Sequence, residues 1–299
     1  MSLRNWTSLL AILAFFIVAG CGGEDGTSTS EDAAKTLRFS AIPDQNSTEL
    51  EAKFDPIATY LSEALGVSVE YIPSRDYGAS VEMFKNGDIQ LAWFGGLTGV
   101  QARQAVSGAR AIAQGVEDPN YYSYFIAHKD SGIERADSFP AGIADIPFTF
   151  GSQKSTSGRL MPEHFIREAS GKTPSEFFAQ TPNFSGSHDK TAQLVQSGQF
   201  MAGALSYKAY DKLVANGKID PEVCRVVWRT PPYPDYNFTA HPDLESEFGA
   251  GFTEKLQKAL IDMNDPKLLS AFPRNALISA KSEDFQRIVD VATSLEMLR

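Results

Sequence analysis

From residue 36 onward the apolar positions switch repeatedly between a period of two and a period of about 3.6, the signatures of strand and helix. Residues 37–42 read as a strand. Residues 50–65 read as a helix, with Leu50, Phe54, Ile57, Ala58, Leu61 and Leu65 on one face and Gly66 as its stop. Strand 67–72, helix 77–85, strand 89–94, helix 97–106 and strands 111–116 and 122–127 complete a first series. A second series has a strand at 148–151, helices at 158–170 and 191–197, a short strand at 201–205, a helix at 207–216 and a strand at 223–229. The proline-rich stretch 231–234 is a rigid extended crossing, and helices at 252–263 and 284–298 end the chain. Alternating strands and helices predict an α/β protein with mostly parallel sheets covered on both faces. Two such series joined by extended segments predict two lobes.

The first residues break this pattern. Arg4 precedes an unbroken apolar run at 9–19, which leads into Gly20 and Cys21. The run is about half the roughly 20 residues that a membrane-spanning helix needs. A positive start, a short apolar segment and small residues describe an export signal at residues 1–20. Small residues directly before a cysteine resemble the lipobox of bacterial lipoproteins. Cys21 is therefore the expected lipidation site and the first residue of the mature chain. Several acyl chains anchor durably where one binds only marginally. Residues 21–36 have almost no large apolar side chain and read as a flexible tether.

Charge and cysteine content narrow the function classes. There are 37 acidic and 27 basic residues; losing Arg4 leaves 26 basic against 37 acidic, a net −11. No long basic run is present, which argues against nucleic acid as a partner. With Cys21 lipidated, Cys224 has no disulfide partner and reads as a small buried hydrophobe. His128, His164, His188 and His241 are scattered, and no HExxH or CxxC spacing occurs, so no metal and no cofactor is expected.

The stretch 151–158 (GSQKSTSG) stands between a predicted strand and a predicted helix. The first turn of a helix leaves backbone N–H groups unpaired, and its dipole favours negative charge. Ser155, Thr156 and Ser157 add three hydroxyl donors there, enough to surround a tetrahedral oxyanion, whereas plain capping needs one. The stretch is not a Walker A loop, since Gln153 stands where that loop needs glycine, and no GxSxG occurs anywhere.

Ser155–Gly158 (STSG) after a strand resembles the second-lobe anion loop of phosphonate-type substrate-binding proteins of ABC importers. Asp76, Tyr77 and Ser80 resemble the family's first-lobe loop, whose tyrosine reaches the pocket. Trp93, Phe94, Gly95 and Gly96 resemble its strand-to-glycine turn, whose aromatic faces the ligand. The stretch 186–189 (GSHD) resembles a second-lobe turn that places His188 at the cleft. The matches extend over most of residues 37–299, and the wording around 41–50 and 91–103 is most similar to the branch assigned to selenate import. Read from the residues alone, Tyr77, Trp93 and Phe94 suit a core as well as a pocket. His188 can donate to an anion or cap its own helix, and Asp44 can serve as a cleft acceptor but reads first as part of a solvated turn, with Asp44 and Asp76 the two carboxylates able to turn inward.

The resemblance implies a two-lobed periplasmic-binding-protein fold, type II-like, with a ligand cleft between lobes joined by two crossover segments. Lobe 1 is expected at residues 37–127 and 238–299, lobe 2 at 128–237, with crossings near 127–131 and 231–238. The implied function is an extracytoplasmic, lipid-anchored, monomeric binding protein that hands a small oxyanion to a permease driven by an ATPase. The ligand-binding residues implied are Tyr77, Trp93, Phe94, Ser155, Thr156, Ser157, His188 and Tyr207. In one respect the chain departs from relatives that bind aminophosphonates: at 201–207 it has Ser206 and Tyr207 where they place carboxylates. A pocket made only of donors suits selenate or sulfate, which carry no proton near neutrality. Phosphate, phosphite or a phosphonate is the alternative ligand, and an oxyanion sensor for a membrane kinase the alternative role. An extracytoplasmic ester hydrolase would need a nucleophile with a paired base or a metal, and neither is visible.

Overall fold

The computed structural model describes residues 35–298. The expected export signal, Cys21 and all but the end of the tether lie outside the described residues. The described residues contain eleven strands in chain order: β1 (Thr36–Ala41), β2 (Ser68–Tyr71), β3 (Leu91–Phe94), β4 (Arg110–Gly115), β5 (Ser123–His128), β6 (Phe148–Phe150), β7 (Asn183–Phe184), β8 (Ala202–Ser206), β9 (Cys224–Arg229), β10 (Asn237–Ala240) and β11 (Leu277–Ser279). They form two sheets, β11-β4-β10-β3-β1-β2 and β7-β6-β8-β5-β9. This is the two-lobed α/β architecture, one sheet to each lobe.

Both sheets are mixed, not mostly parallel. β1 runs parallel to β2 and β3, while β10 runs antiparallel to β3 and β4, and β11 antiparallel to β4. In the second sheet β6 is parallel to β7 and β8, and β5 is antiparallel to β8 and β9. Two of the antiparallel strands, β5 and β10, are entered straight from a crossing, without the helical crossover that a parallel pair requires. The first crossing also comes earlier than expected. It occupies residues 116–122, because β5 belongs to the second sheet and not to the first.

The two crossings touch. Tyr121 N donates to Tyr233 O at 2.9 Å and Tyr233 N to Tyr121 O at 2.8 Å, an isolated antiparallel bridge between the lobes. Each sheet is covered by the helices that its periodicity predicts. The helix Ser47–Leu65 buries Leu50, Phe54, Ile57, Leu61 and Leu65 against the first sheet. The helices His188–Gln196 and Tyr207–Ala215 close a smaller apolar cluster around Ile126, Val195, Leu205 and Cys224. Burial in that cluster pushes the Cys224 thiol up to about 12, an inert state.

Candidate oxyanion site

The segment after β6 is a wide turn and not a regular helix start. Ser155 Oγ accepts from Gly158 N at 2.9 Å and Ser155 O from Leu160 N at 2.9 Å, opening a π turn at Thr156–Leu160 that continues as the helix Met161–Ser170. Single π turns recur at functional sites. The turn folds back on β6, with Gly151 N donating to Gly158 O at 2.8 Å. A Cβ on Gly151 would lie 3.2 Å from Gly158 Cα, and one on Gly158 would lie 3.0 Å from Ser155 Oγ, so a side chain at either position would crowd the close approach of the turn to β6. Ser155, Thr156 and Ser157 are each at most 2 % exposed, because the first lobe closes over them. Thr156 Oγ1 accepts from Leu97 N across the cleft at 2.9 Å, which turns that residue into a clasp between the lobes.

His188 opens the helix His188–Gln196 and is fully buried. Its Nδ1 accepts from Ser206 N at 3.3 Å, which leaves the ring proton on Nε2. Burial holds its pKa below the ordinary histidine value, so the ring is neutral near neutral pH. Nε2 faces Ser157 Oγ at 3.5 Å and Tyr236 Oη at 3.4 Å. The backbone N–H of His188 donates to Asp44 O at 3.0 Å, a second clasp between the lobes.

From the first lobe, Tyr77 opens the helix Tyr77–Lys85, and Asp76 caps it by accepting from Ala79 N at 2.8 Å. Tyr77 Oη is buried without a hydrogen bond of ordinary geometry, and the Ser155 side chain faces it. Burial raises the phenol well above its usual pKa, so it remains a donor.

Two carboxyl groups correct the expectation of a donor-only pocket. Asp44 is buried, and its Oδ2 accepts from Tyr236 Oη at 2.9 Å. Asp235 is fully buried in the second crossing; its Oδ1 accepts from Gly96 N at 2.8 Å, while its Oδ2 makes no hydrogen bond of ordinary geometry among the described residues, the nearest donor being the Thr156 hydroxyl from the other lobe. Burial pushes the Asp235 carboxyl up to about 7, and the Gly96 bond offsets only part of that rise. Sequence reasoning missed Asp235 and Tyr236 because an extended crossing has no periodicity. The available signal was a charged residue set between tyrosines and prolines, at residues 232–236 (PYPDY).

Aromatic rings and a buried ion pair form the floor. Trp93 stacks on Tyr236 with centroids 5.5 Å apart and planes 23° apart. Beneath them the Arg274 guanidinium lies 4.8 Å from the Tyr236 ring centroid and 5.0 Å from that of Tyr121, and is bound to Asp118 at 2.7 Å. A void of about 10 Å³, near the lower limit for one water, is flanked by Asp44, Trp93, Tyr121, Ser206, Tyr236 and Arg274. Two expected site residues lie elsewhere. Phe94 points to the opposite face of β3 and packs edge-on against Phe84 in the core. Tyr207 stacks on Tyr122 at 3.9 Å, and its neighbour Ser206 takes its place at the void.

Residues 39–285 match the family described as ABC transporter, phosphonate, periplasmic substrate-binding protein. The chain belongs to this family. It is 37% identical over 272 residues to the probable ABC transporter phosphite binding protein PhnD1 of Prochlorococcus marinus, covering 89% of this chain and 91% of that protein. The structure of PhnD1 from that organism in complex with methylphosphonate superposes with a TM-score of 0.83, over 88% of this chain and 99% of the other. The phosphate-import protein PhnD of Mycolicibacterium smegmatis is 31% identical over 77% of this chain and 74% of its own length. Members of the family are binding proteins of transporters, and the family places the chain outside the cytoplasm. No helix among the described residues is long and apolar enough to cross a membrane.

Proposed function

We propose that the chain captures phosphite or a small phosphonate in the cleft and delivers it to an ABC permease. The observation that carries this reading is the buried Asp235 carboxyl, an acceptor beside the Thr156 hydroxyl and near the Tyr77 phenol, on the side of the cleft that faces the Ser155–Ser157 loop. Phosphorus oxyanions lose their second proton near neutrality, so one acceptor among several donors suits them. Selenate and sulfate carry no such proton and would meet Asp235 only as a repelling charge or a redundant donor. The similarity to a phosphite binder and to a methylphosphonate complex supports the same choice. Phosphate is the competing ligand, favoured by the phosphate-import relative.

In this reading the protein hangs from a membrane through lipidated Cys21, acts as a monomer and performs no chemistry on its ligand. The lobes close about the paired crossings at Tyr121 and Tyr233, a hinge motion of the kind binding proteins use. Calorimetric titration with phosphite, methylphosphonate, phosphate, sulfate and selenate tests the assignment. Phosphite or methylphosphonate should bind tightest; selenate or sulfate binding as well or better overturns it.

A further inference from the structure

A chain of hydrogen bonds runs from the second crossing into the oxyanion loop, and its directions are fixed by counting protons. Ser123 Oγ lies 2.7 Å from Ser157 O and 2.5 Å from Tyr233 Oη, all three residues being buried. A carbonyl only accepts, so the single Ser123 hydroxyl proton goes to Ser157 O. The contact with Tyr233 must then be donated by the phenol. Ser157 C=O and Gly158 N–H belong to one peptide group, and that N–H donates to Ser155 Oγ at 2.9 Å. Ser155 Oγ is thereby occupied as an acceptor, which leaves its own proton to point at the cleft and at Tyr77. Hydrogen bonds in series polarise one another.

Tyr233 is also the residue that pairs with Tyr121 between the two crossings, and the Tyr121 phenol in turn meets Ser206 Oγ. Ser123 stands at the start of β5, directly after the first crossing. Both tyrosines of the bridge thus send their phenols into the second lobe, one of them toward the oxyanion loop. Neither Tyr233 nor Ser123 faces the void between the lobes.

We infer that Tyr233 and Ser123 are positioning residues for anion binding: they orient the Ser157–Gly158 peptide and so hold the Ser155 hydroxyl as a donor, tying the grip of the loop to the crossing. This rests on the reading that the loop holds an oxyanion. Burial keeps the Tyr233 phenol protonated, so the chain keeps its direction at physiological pH.

The test uses the full-length protein in detergent, titrated calorimetrically with methylphosphonate and phosphite, or with whichever of phosphate, sulfate and selenate binds instead. Tyr233→Phe and Ser123→Ala should each weaken binding about fivefold or more. Combining Tyr233→Phe with Ser155→Ala should cost no more than Ser155→Ala alone, because the chain acts through that hydroxyl. Tyr210→Phe, which removes a buried phenol bonded to Cys224 O away from the cleft, should leave affinity unchanged. A readout independent of any ligand is the glycine amide NMR spectrum, in which Tyr233→Phe should move the Gly158 resonance. Additive losses in the double variant, or an unmoved Gly158 amide, overturn the relay even if the anion binds. A moved amide with no anion bound at all sinks the ligand assignment and the positioning role together, while leaving the hydrogen-bond chain itself standing.

Discussion

The two walls of the cleft are built in opposite ways. The second-lobe wall is local: Ser155, Thr156 and Ser157 are consecutive, their loop is closed by hydrogen bonds within residues 151–160, and His188 joins at the head of the next helix. The opposing wall is assembled from distant parts of the chain. Asp44 follows β1, Tyr77 opens a helix, Trp93 ends β3, and Asp235 and Tyr236 come from the second crossing. The local wall supplies donors alone, while the assembled wall supplies the acceptors as well. In the proposed reading, selectivity that depends on the ligand's proton belongs to the side put together by tertiary folding.

The comparison breaks most visibly if the local wall is removed. Replacing Ser155, Thr156 and Ser157 together by Ala should weaken phosphite binding about a hundredfold or more in calorimetry, since hydrogen bonds to charged groups are worth roughly 1.5–3 kcal/mol each. A loss under tenfold would mean that these hydroxyls chiefly cap the helix. Asp235→Asn probes the assembled wall. It should cost phosphite and methylphosphonate about five- to fiftyfold, the price of a mispaired buried acceptor, and leave sulfate unchanged or stronger. Equal losses for all oxyanions would show that Asp235 only braces Gly96.

The same carboxyl sets a pH dependence. Its folded-state pKa of about 7 lies above the 3.8 of an unburied aspartate, so its contribution to stability is complete at pH values below 3.8 and is lost as pH rises through 7. The difference is worth at most roughly 4 kcal/mol. Subtracting the Asp235→Asn melting curve from that of the parent across this window should show the decline, and parallel curves would refute it. The smallest effect belongs to the rim. Glu49 and Lys218 pair across the mouth of the cleft at 2.5 Å while both remain about half exposed. Glu49→Gln should change affinity by no more than about threefold, in keeping with exposed ion pairs worth roughly 0–1 kcal/mol.

This division between walls also explains what was legible in the sequence. The helix Tyr77–Lys85 and strands β3, β4 and β8 announce themselves by period, and the local wall is a contiguous motif that needs no tertiary knowledge. The short strands β7, β10 and β11 were invisible. Asn183–Phe184 has two residues, and Asn237–Ala240 is buried throughout by neighbours on both sides, so no alternation survives. Trp93 and Phe94 are adjacent on one strand and face opposite ways; choosing between them required the register. Asp44 looked like a solvated turn because its burial comes from Tyr236, 192 positions away.

The strand order of the first sheet has a consequence for how the polypeptide is made. Among the described residues β4 finds its only sheet partners in β10 and β11, and β10 lies between β3 and β4. A chain emerging from its N-terminus therefore has every strand of the second sheet available by Arg229, while the first sheet still waits for residues 237–279. Such distant pairings slow folding and keep unpaired edges exposed in the meantime. The half of the protein that begins first is completed last, and for that interval its strand edges depend on whatever escorts the newly made chain.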